Sequence, residues 1–236
     1  MIGSFKQDWF FILWDRFCNF AQIIGVSKKD IYDVISGKSK VRFGESLQAI
    51  ACYLKASEGP GEEIEDPKSF KSKEESELNK AFPSIFLLSF HIPFDYFISS
   101  GAEQSVFLID GRDVIKLNDG IFYRSWRDYF TSVLLHNYFF PDTAYDFLGF
   151  VRKDGKLLAV VKQVFVSANQ PTNLISLSQF LSDNGFKRIR NNDYQNHDLG
   201  LILEDLHEEN VLTSNGLFFF IDTVFYLSPD FWLSTW

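Results

Sequence analysis

The sequence predicts an α+β protein. An all-α bundle spans 1–57, a charged connector 58–81, and a small two-lobe domain with an antiparallel sheet in its first lobe spans 82–236. Three observations predict it. Apolar residues recur at helical spacing near the start, with Ile31, Val34 and Ile35 followed by Leu47, Ile50, Ala51 and Leu54. Short β-branched and aromatic runs, punctuated by glycine turns, fill 97–166 and 200–221. Between these patterns lies a stretch of Glu, Lys, Ser, Gly and Pro almost free of apolar side chains. Such a stretch buries too little surface to offset its ordering entropy, so it reads as a mobile or loosely helical tether.

In the first segment, small Ala21 allows two helices to approach, Gly25 makes a turn and Ser27 caps the next helix. Gly37 ends that helix. The pattern resembles the repressor-type helix-turn-helix. The resemblance implies that Lys28, Lys29 and Tyr32, near the start of the second helix, contact DNA. Residues 1–57 hold eight Lys/Arg and five Asp/Glu, whereas the whole chain carries a net charge of −8. The contrast favours nucleic acid, but Asp30 and Asp33 on the same helix would repel phosphate. The other reading of this bundle is a surface that forms a homodimer or docks on the second domain.

The run Phe82 to Phe94 enters the second domain as a packed apolar segment. From Ser99 to Lys116 the chain reads strand, Gly101 turn, strand containing Val106, Asp110-Gly111 hairpin, strand ending in Val114-Ile115-Lys116. A helix is predicted over 124–140. Strands follow from Tyr145 to Arg152 and from Leu157 to Val166, then a helix from Leu174 to Asn184 stopped by Gly185. Farther on, Gly200 to Glu204 and Leu217 to Ile221 are short apolar strands, and Asn215-Gly216 is a hairpin signal.

Those last strands frame the stretch richest in chemistry. Asp205 precedes Asn210 by five residues in Asp-Leu-His-Glu-Glu-Asn, and Asp222 closes the following apolar run. A carboxylate near an attacking hydroxyl, with an amide oxygen and a second carboxylate to hold Mg²⁺ against phosphates, is what phosphoryl transfer requires. Taken alone, Asp205 and Asn210 are turn residues, Asp222 caps a strand and Lys116 is a surface lysine. Their order along the chain gives them joint meaning. The set resembles protein kinases and aminoglycoside phosphotransferase-like kinases, in which a lysine on the third strand grips the nucleotide phosphates. His207, two residues after the Asp, is closer to the small-molecule and atypical kinases.

The resemblance covers Phe94 to Leu227. Fourteen residues follow Asp222, which leaves little room for a long activation segment or for peptide-docking helices. In this compactness the chain resembles the kinases of phage and mobile-element polyvalent proteins, as does the segment from Leu135 to Phe150. The resemblance implies ATP and Mg²⁺ as cofactors. Gly101, Val106, Lys116 and the hinge from Gln163 to Val166 would bind nucleotide, Asn210 and Asp222 would bind the metal, and Asp205 would serve the acceptor hydroxyl, which a protein could supply. Kinases pair the lysine with a helix glutamate. Here no Glu occurs between Gln104 and Leu203. Asp128 on the predicted helix and Glu103 in the glycine turn are the substitutes, with Asp113 and Asp119 nearby. The missing Glu and the single glycine also fit a second function, a catalytically weak pseudokinase that regulates by binding DNA or a partner.

Composition sets the outer limits. Aromatics make up 17% of the chain, including 27 Phe, enough to build two cores. No apolar run reaches the roughly 18 residues needed to span a bilayer, so no membrane partner is expected. Cys18 and Cys52 lack metal-ligand spacing and read as reduced thiols of a cytoplasmic protein. His91, His136 and His197 read as packing or surface residues.

Overall fold

The computed structural model describes residues 25–58, 66–87, 94–101 and 104–234. The first helix of the helix-turn-helix reading, with Cys18 and Ala21, lies outside the described residues, as do His91 and Glu103.

Helix α1 runs Lys28–Ile35 behind a capping box: the Asp30 N–H donates to Ser27 Oγ, and the Ser27 N–H donates to the Asp30 carboxylate at 2.8 Å. The Ser27 hydroxyl, which donates to the Asp30 carboxylate at 2.6 Å, and then the Ser27 N–H hold that carboxyl below its ordinary range. Helix α2 spans Gly44–Ser57 and buries Leu47, Ile50, Ala51 and Leu54. Composition predicts a mobile or loosely helical tether next, and residues Pro67–Ala81 form a regular helix, α3. Asp66 caps it, Pro67 opens it, and Phe70, Glu74 and Leu78 repeat every fourth residue to make one buried stripe. Three well-spaced buried residues anchor this helix, while its other faces stay charged.

The first sheet comprises β1 (Phe97–Ser100), β2 (Gln104–Leu108), β3 (Asp113–Asn118), β4 (Asp146–Lys153) and β5 (Lys156–Val164). All its neighbours are antiparallel, in the order β1-β2-β3-β5-β4. Helix α4 (Trp126–Phe139) connects β3 to β4, and α5 (Leu174–Asp183) opens the second lobe. That lobe holds β6 (Lys187–Arg190), β7 (Asp193–Asn196), β8 (Leu201–Glu204) and β11 (Val224–Leu227) in the order β11-β8-β7-β6. A separate hairpin of β9 (Val211–Ser214) and β10 (Leu217–Phe220) turns at Asn215-Gly216, both with positive φ, as the sequence predicts. The sequence reading lacks β6, β7 and β11; in β6, Lys187-Arg-Ile-Arg carries too few apolar residues to read as a strand.

Helix α4 joins the cores. Trp126, Phe130 and Leu134 pack in one cluster with Phe147 and Phe150 of the sheet and with Val34, Leu47, Ile50 and Leu54 of the first helices. Leu135 and Phe139 face a second cluster with Leu177, Leu181, Leu201 and Phe231. Each fully buried Leu or Ile contributes roughly 2 kcal/mol, so the apolar face of α2 is committed to α4. Helices α1 and α2 therefore pack against α4 of the second domain; the sequence leaves docking, a homodimer and a DNA-binding bundle as alternatives. Among the described residues no helix is long and apolar enough to cross a membrane.

Candidate active site

Lys116 sits in the middle of β3, opposite Val106 of β2 and Val161 of β5. Its side chain is 3% exposed. A buried ammonium needs hydrogen-bond acceptors. Its Nζ donates to the Ile221 carbonyl at 2.7 Å and to Tyr145 Oη at 3.5 Å, and lies 5.2 Å from the Tyr145 ring centroid. Tyr145 Oη donates to the same Ile221 carbonyl at 2.6 Å and lies 3.4 Å from Asp222 Oδ1. Burial, reinforced by the Asp222 charge, raises the phenol well above its usual range, so the hydroxyl keeps its proton.

The Tyr145 backbone is held from the other side. Its N–H donates to Asn137 Oδ1 at 2.7 Å, and Asn137 Nδ2 donates to Tyr145 O at 2.8 Å and to Arg42 O at 3.0 Å. Asn137 belongs to α4, and Arg42 lies between α1 and α2, so the first helices reach the lysine's surroundings through one amide. The His136 ring lies tilted beside Tyr145, with ring centroids 4.6 Å apart. Complete burial lowers its pKa to about 3, leaving it neutral.

The Asp205 loop follows β8 and turns through a positive φ of 65° at Asp205 itself. Asn210 Nδ2 donates to Asp205 Oδ2 at 2.8 Å and to Asp205 O at 2.9 Å. The Glu209 N–H donates to His207 Nδ1, which puts the ring proton on Nε2, 3.1 Å from Asp205 Oδ1. His207 and Asn210 thus flank one carboxylate. Behind the loop, the Asp205 N–H donates to Asp193 Oδ1 at 3.1 Å.

Asp222 lies just beyond β10. The N–H groups of Ile221 and Asp222 both donate to Asn210 O, at 2.9 and 3.3 Å. These bonds fasten the Asp205 loop to the strand that carries Asp222. The Gln104 amide, at the foot of β2, donates to Asp222 Oδ2.

A cleft of about 290 Å³ opens between the lobes. Gly101, Val106 and Lys116 line it from the sheet, Gln163 and Val166 from the end of β5 and beyond, and Asn210 and Asp222 from the second lobe. Asp205 is outside the lining and joins it through Asn210. Gln163 contributes backbone, since its buried amide donates to Thr143 O at 2.6 Å. The structure does not bring Asp128 to the cleft. Asp128 lines a larger cavity of about 600 Å³ with Lys55, Arg127 and Trp232. It lies in the first turn of α4, whereas Tyr145, which does meet Lys116, precedes β4. The sequence reading missed Tyr145, Gln104, Asn137 and Asp193. The only signal for Tyr145 was the missing Glu, which obliges the lysine to find other partners.

Among the described residues no three His, Cys, Asp or Glu side chains are grouped to hold a metal alone. The residues present still fit Mg²⁺. Asn210 directs its nitrogen to Asp205, which leaves its oxygen for another partner. Together with the Asp222 carboxylate it supplies the sparse, hard-oxygen set that Mg²⁺ takes when phosphates complete its shell.

Of the residues singled out for DNA, Lys29 pairs with Asp33 one turn on. Tyr32 packs on the second-lobe core, with Lys38 and Lys55 over its ring. Lys28 begins α1.

Among protein families, the model of the serine/threonine/tyrosine kinase found in polyvalent proteins matches residues 71–229. No curated protein and no solved structure matches the chain.

Proposed function

The chain belongs to the serine/threonine/tyrosine kinase family found in polyvalent proteins, and from that premise we propose that its cleft transfers the γ-phosphoryl group of Mg-ATP to a hydroxyl acceptor. The observation that carries this reading is the convergence of Lys116, Asn210 and Asp222, distant in sequence, on one cleft.

Mg-ATP supplies the transferable phosphoryl group and a metal that neutralises its charge. Lys116 holds the nucleotide phosphates. A carbonyl, a hydroxyl and a ring face hold its ammonium in place. The Asn210 oxygen and the Asp222 carboxylate hold the metal. Asp205, flanked by Asn210 and His207, orients the acceptor hydroxyl and takes its proton. Backbone from Gln163 to Val166 meets the adenine. The transition state for such transfer is loose and needs mainly positioning and charge, which a lobe this small can provide.

A second reading, a pseudokinase that regulates through nucleotide or partner binding, is favoured by the contacts of Asp222, whose two oxygens face Gln104 and Tyr145. The DNA-contact reading of Lys28, Lys29 and Tyr32 gains no support from the packing of Tyr32 and the pairing of Lys29.

Thermal melting with ATP, with and without Mg²⁺, together with transfer from labelled ATP, tests the kinase reading. Stabilisation that requires the metal and disappears in Asp222→Asn, with transfer lost and the fold retained, is the expected result. Nucleotide-independent melting, or full transfer by Asp222→Asn, would overturn it.

A further inference from the structure

Strand β6 is an edge. It pairs with β7 on one side and has no strand on the other among the described residues. All four of its residues, Lys187, Arg188, Ile189 and Arg190, are exposed. Three cations in four residues stand out in a chain with 31 acidic and 23 basic side chains. Arg190 is engaged, with Nε 2.8 Å from Asp193 and Nη2 3.7 Å from Glu204. Lys187 and Arg188 form no ion pair among the described residues; Arg188 donates to the Asn191 carbonyl in its own hairpin.

This edge leads to the catalytic loop. Asp193 bridges the two: one oxygen accepts from Arg190 and the other from the Asp205 N–H. The Leu206 N–H donates to Asn192 O at 3.1 Å, so the β6–β7 turn is hydrogen-bonded to the residue after Asp205. A chain laid along β6 therefore arrives beside the carboxylate that serves the acceptor.

We propose that the acceptor is an extended polypeptide segment rich in Asp and Glu, added as a further strand on β6 with its Ser, Thr or Tyr hydroxyl at the Asp205 end. This rests on the phosphotransfer reading. An edge strand offers unpaired backbone groups for main-chain affinity, and its side chains give the choice of partner. Every pairing in this sheet is antiparallel, and β6 runs toward Asp205. The added segment thus runs away from it, and the hydroxyl precedes the acidic run. Glu208 and Glu209, exposed beyond Asp205, repel carboxylates on the opposite side and reinforce that order. In the transfer, the acceptor oxygen forms the new P–O bond as the bond to the β–γ bridging oxygen breaks. The hydroxyl proton passes to Asp205, and ADP leaves with the bonding electrons.

Fluorescein-labelled peptides test this with the full chain. One carries Ser followed by a Glu run, one has the order reversed, and one has Lys in place of Glu. Anisotropy without ATP reads docking, and labelled ATP reads transfer. The Ser-then-Glu peptide should bind best, more weakly at high salt, and should lose about tenfold in affinity in the Lys187→Glu/Arg188→Glu variant. In transfer the same variant should raise KM for the peptide by a similar factor and leave KM for ATP unchanged. Equal binding of the lysine peptide, or salt-independent binding to the unaltered chain, would overturn docking without reference to any variant's folding. Transfer to the acidic peptide that is indifferent to Lys187 and Arg188 would overturn docking alone. Binding without transfer would overturn the phosphotransfer reading, and the acceptor role with it.

Discussion

Lys116 and Tyr145 meet at one atom, the carbonyl oxygen of Ile221, to which the ammonium donates at 2.7 Å and the phenol at 2.6 Å. That oxygen belongs to the residue before Asp222. The lysine on the first lobe is thereby registered against the carboxylate on the second. Asn137 extends the arrangement to the amino-terminal helices, because the same amide that grips Tyr145 also grips Arg42.

Tyr145→Phe keeps the ring against His136 and Lys116 and removes only the shared hydroxyl. Loss of one buried hydrogen bond should cost about 1 kcal/mol of stability. If the hydroxyl sets the register of Lys116 and Asp222, kcat should fall about tenfold while KM for ATP changes less. Steady-state transfer rates check this. An unchanged kcat would reduce Tyr145 to a packing residue.

Glu74 makes the stability curve pH-dependent in an unusual direction. It accepts from the backbone N–H groups of Trp126 and Arg127 at the start of α4, at 2.6 and 3.2 Å. Burial lifts its pKa from 4.5 to about 7 despite those bonds. The folded state therefore holds a proton that the unfolded chain has already released, so stability is lost as pH rises from about 4.5 through about 7. The loss is on the order of 3 kcal/mol. His136 works oppositely: its pKa falls to about 3 on folding, so it removes stability as pH falls below its ordinary value of 6.5. In denaturant melts the unaltered chain should lose stability relative to Glu74→Gln as pH rises from 4.5 to about 7. A difference independent of pH would show that Glu74 is ionised throughout.

Gly149 sits at the β4 bulge with φ +139°, and a Cβ there would collide with the Ile85 carbonyl. Gly149→Ala should destabilise by about 3 kcal/mol, combining backbone strain with a clash against main chain that cannot rotate away. Gly155 also has positive φ but meets nothing within 4 Å. Gly155→Ala should cost about 1 kcal/mol. Thermal melts of the pair separate the two contributions; equal losses would mean that the 83–87 segment does not press on β4.

Local signals carried most of the elements and the identities of the candidate residues. The Ser27 cap, the Asp110-Gly111 and Asn215-Gly216 turns, the apolar runs of β5, β8 and β10, and the order Lys116, Asp205, Asn210, Asp222 all depend on neighbours close in sequence, which a linear reading can see. Helix α3, strand β6 and the partners of Lys116 depend on what lies across space. Nothing near Phe70, Glu74 and Leu78 announces that α4 needs a cap, and nothing near Tyr145 announces that Ile221 will present it a carbonyl. Burial turns a charged stretch into a packed helix and sets a phenol beside Lys116. Burial is a property of the assembled chain, so those assignments belonged to the tertiary structure alone.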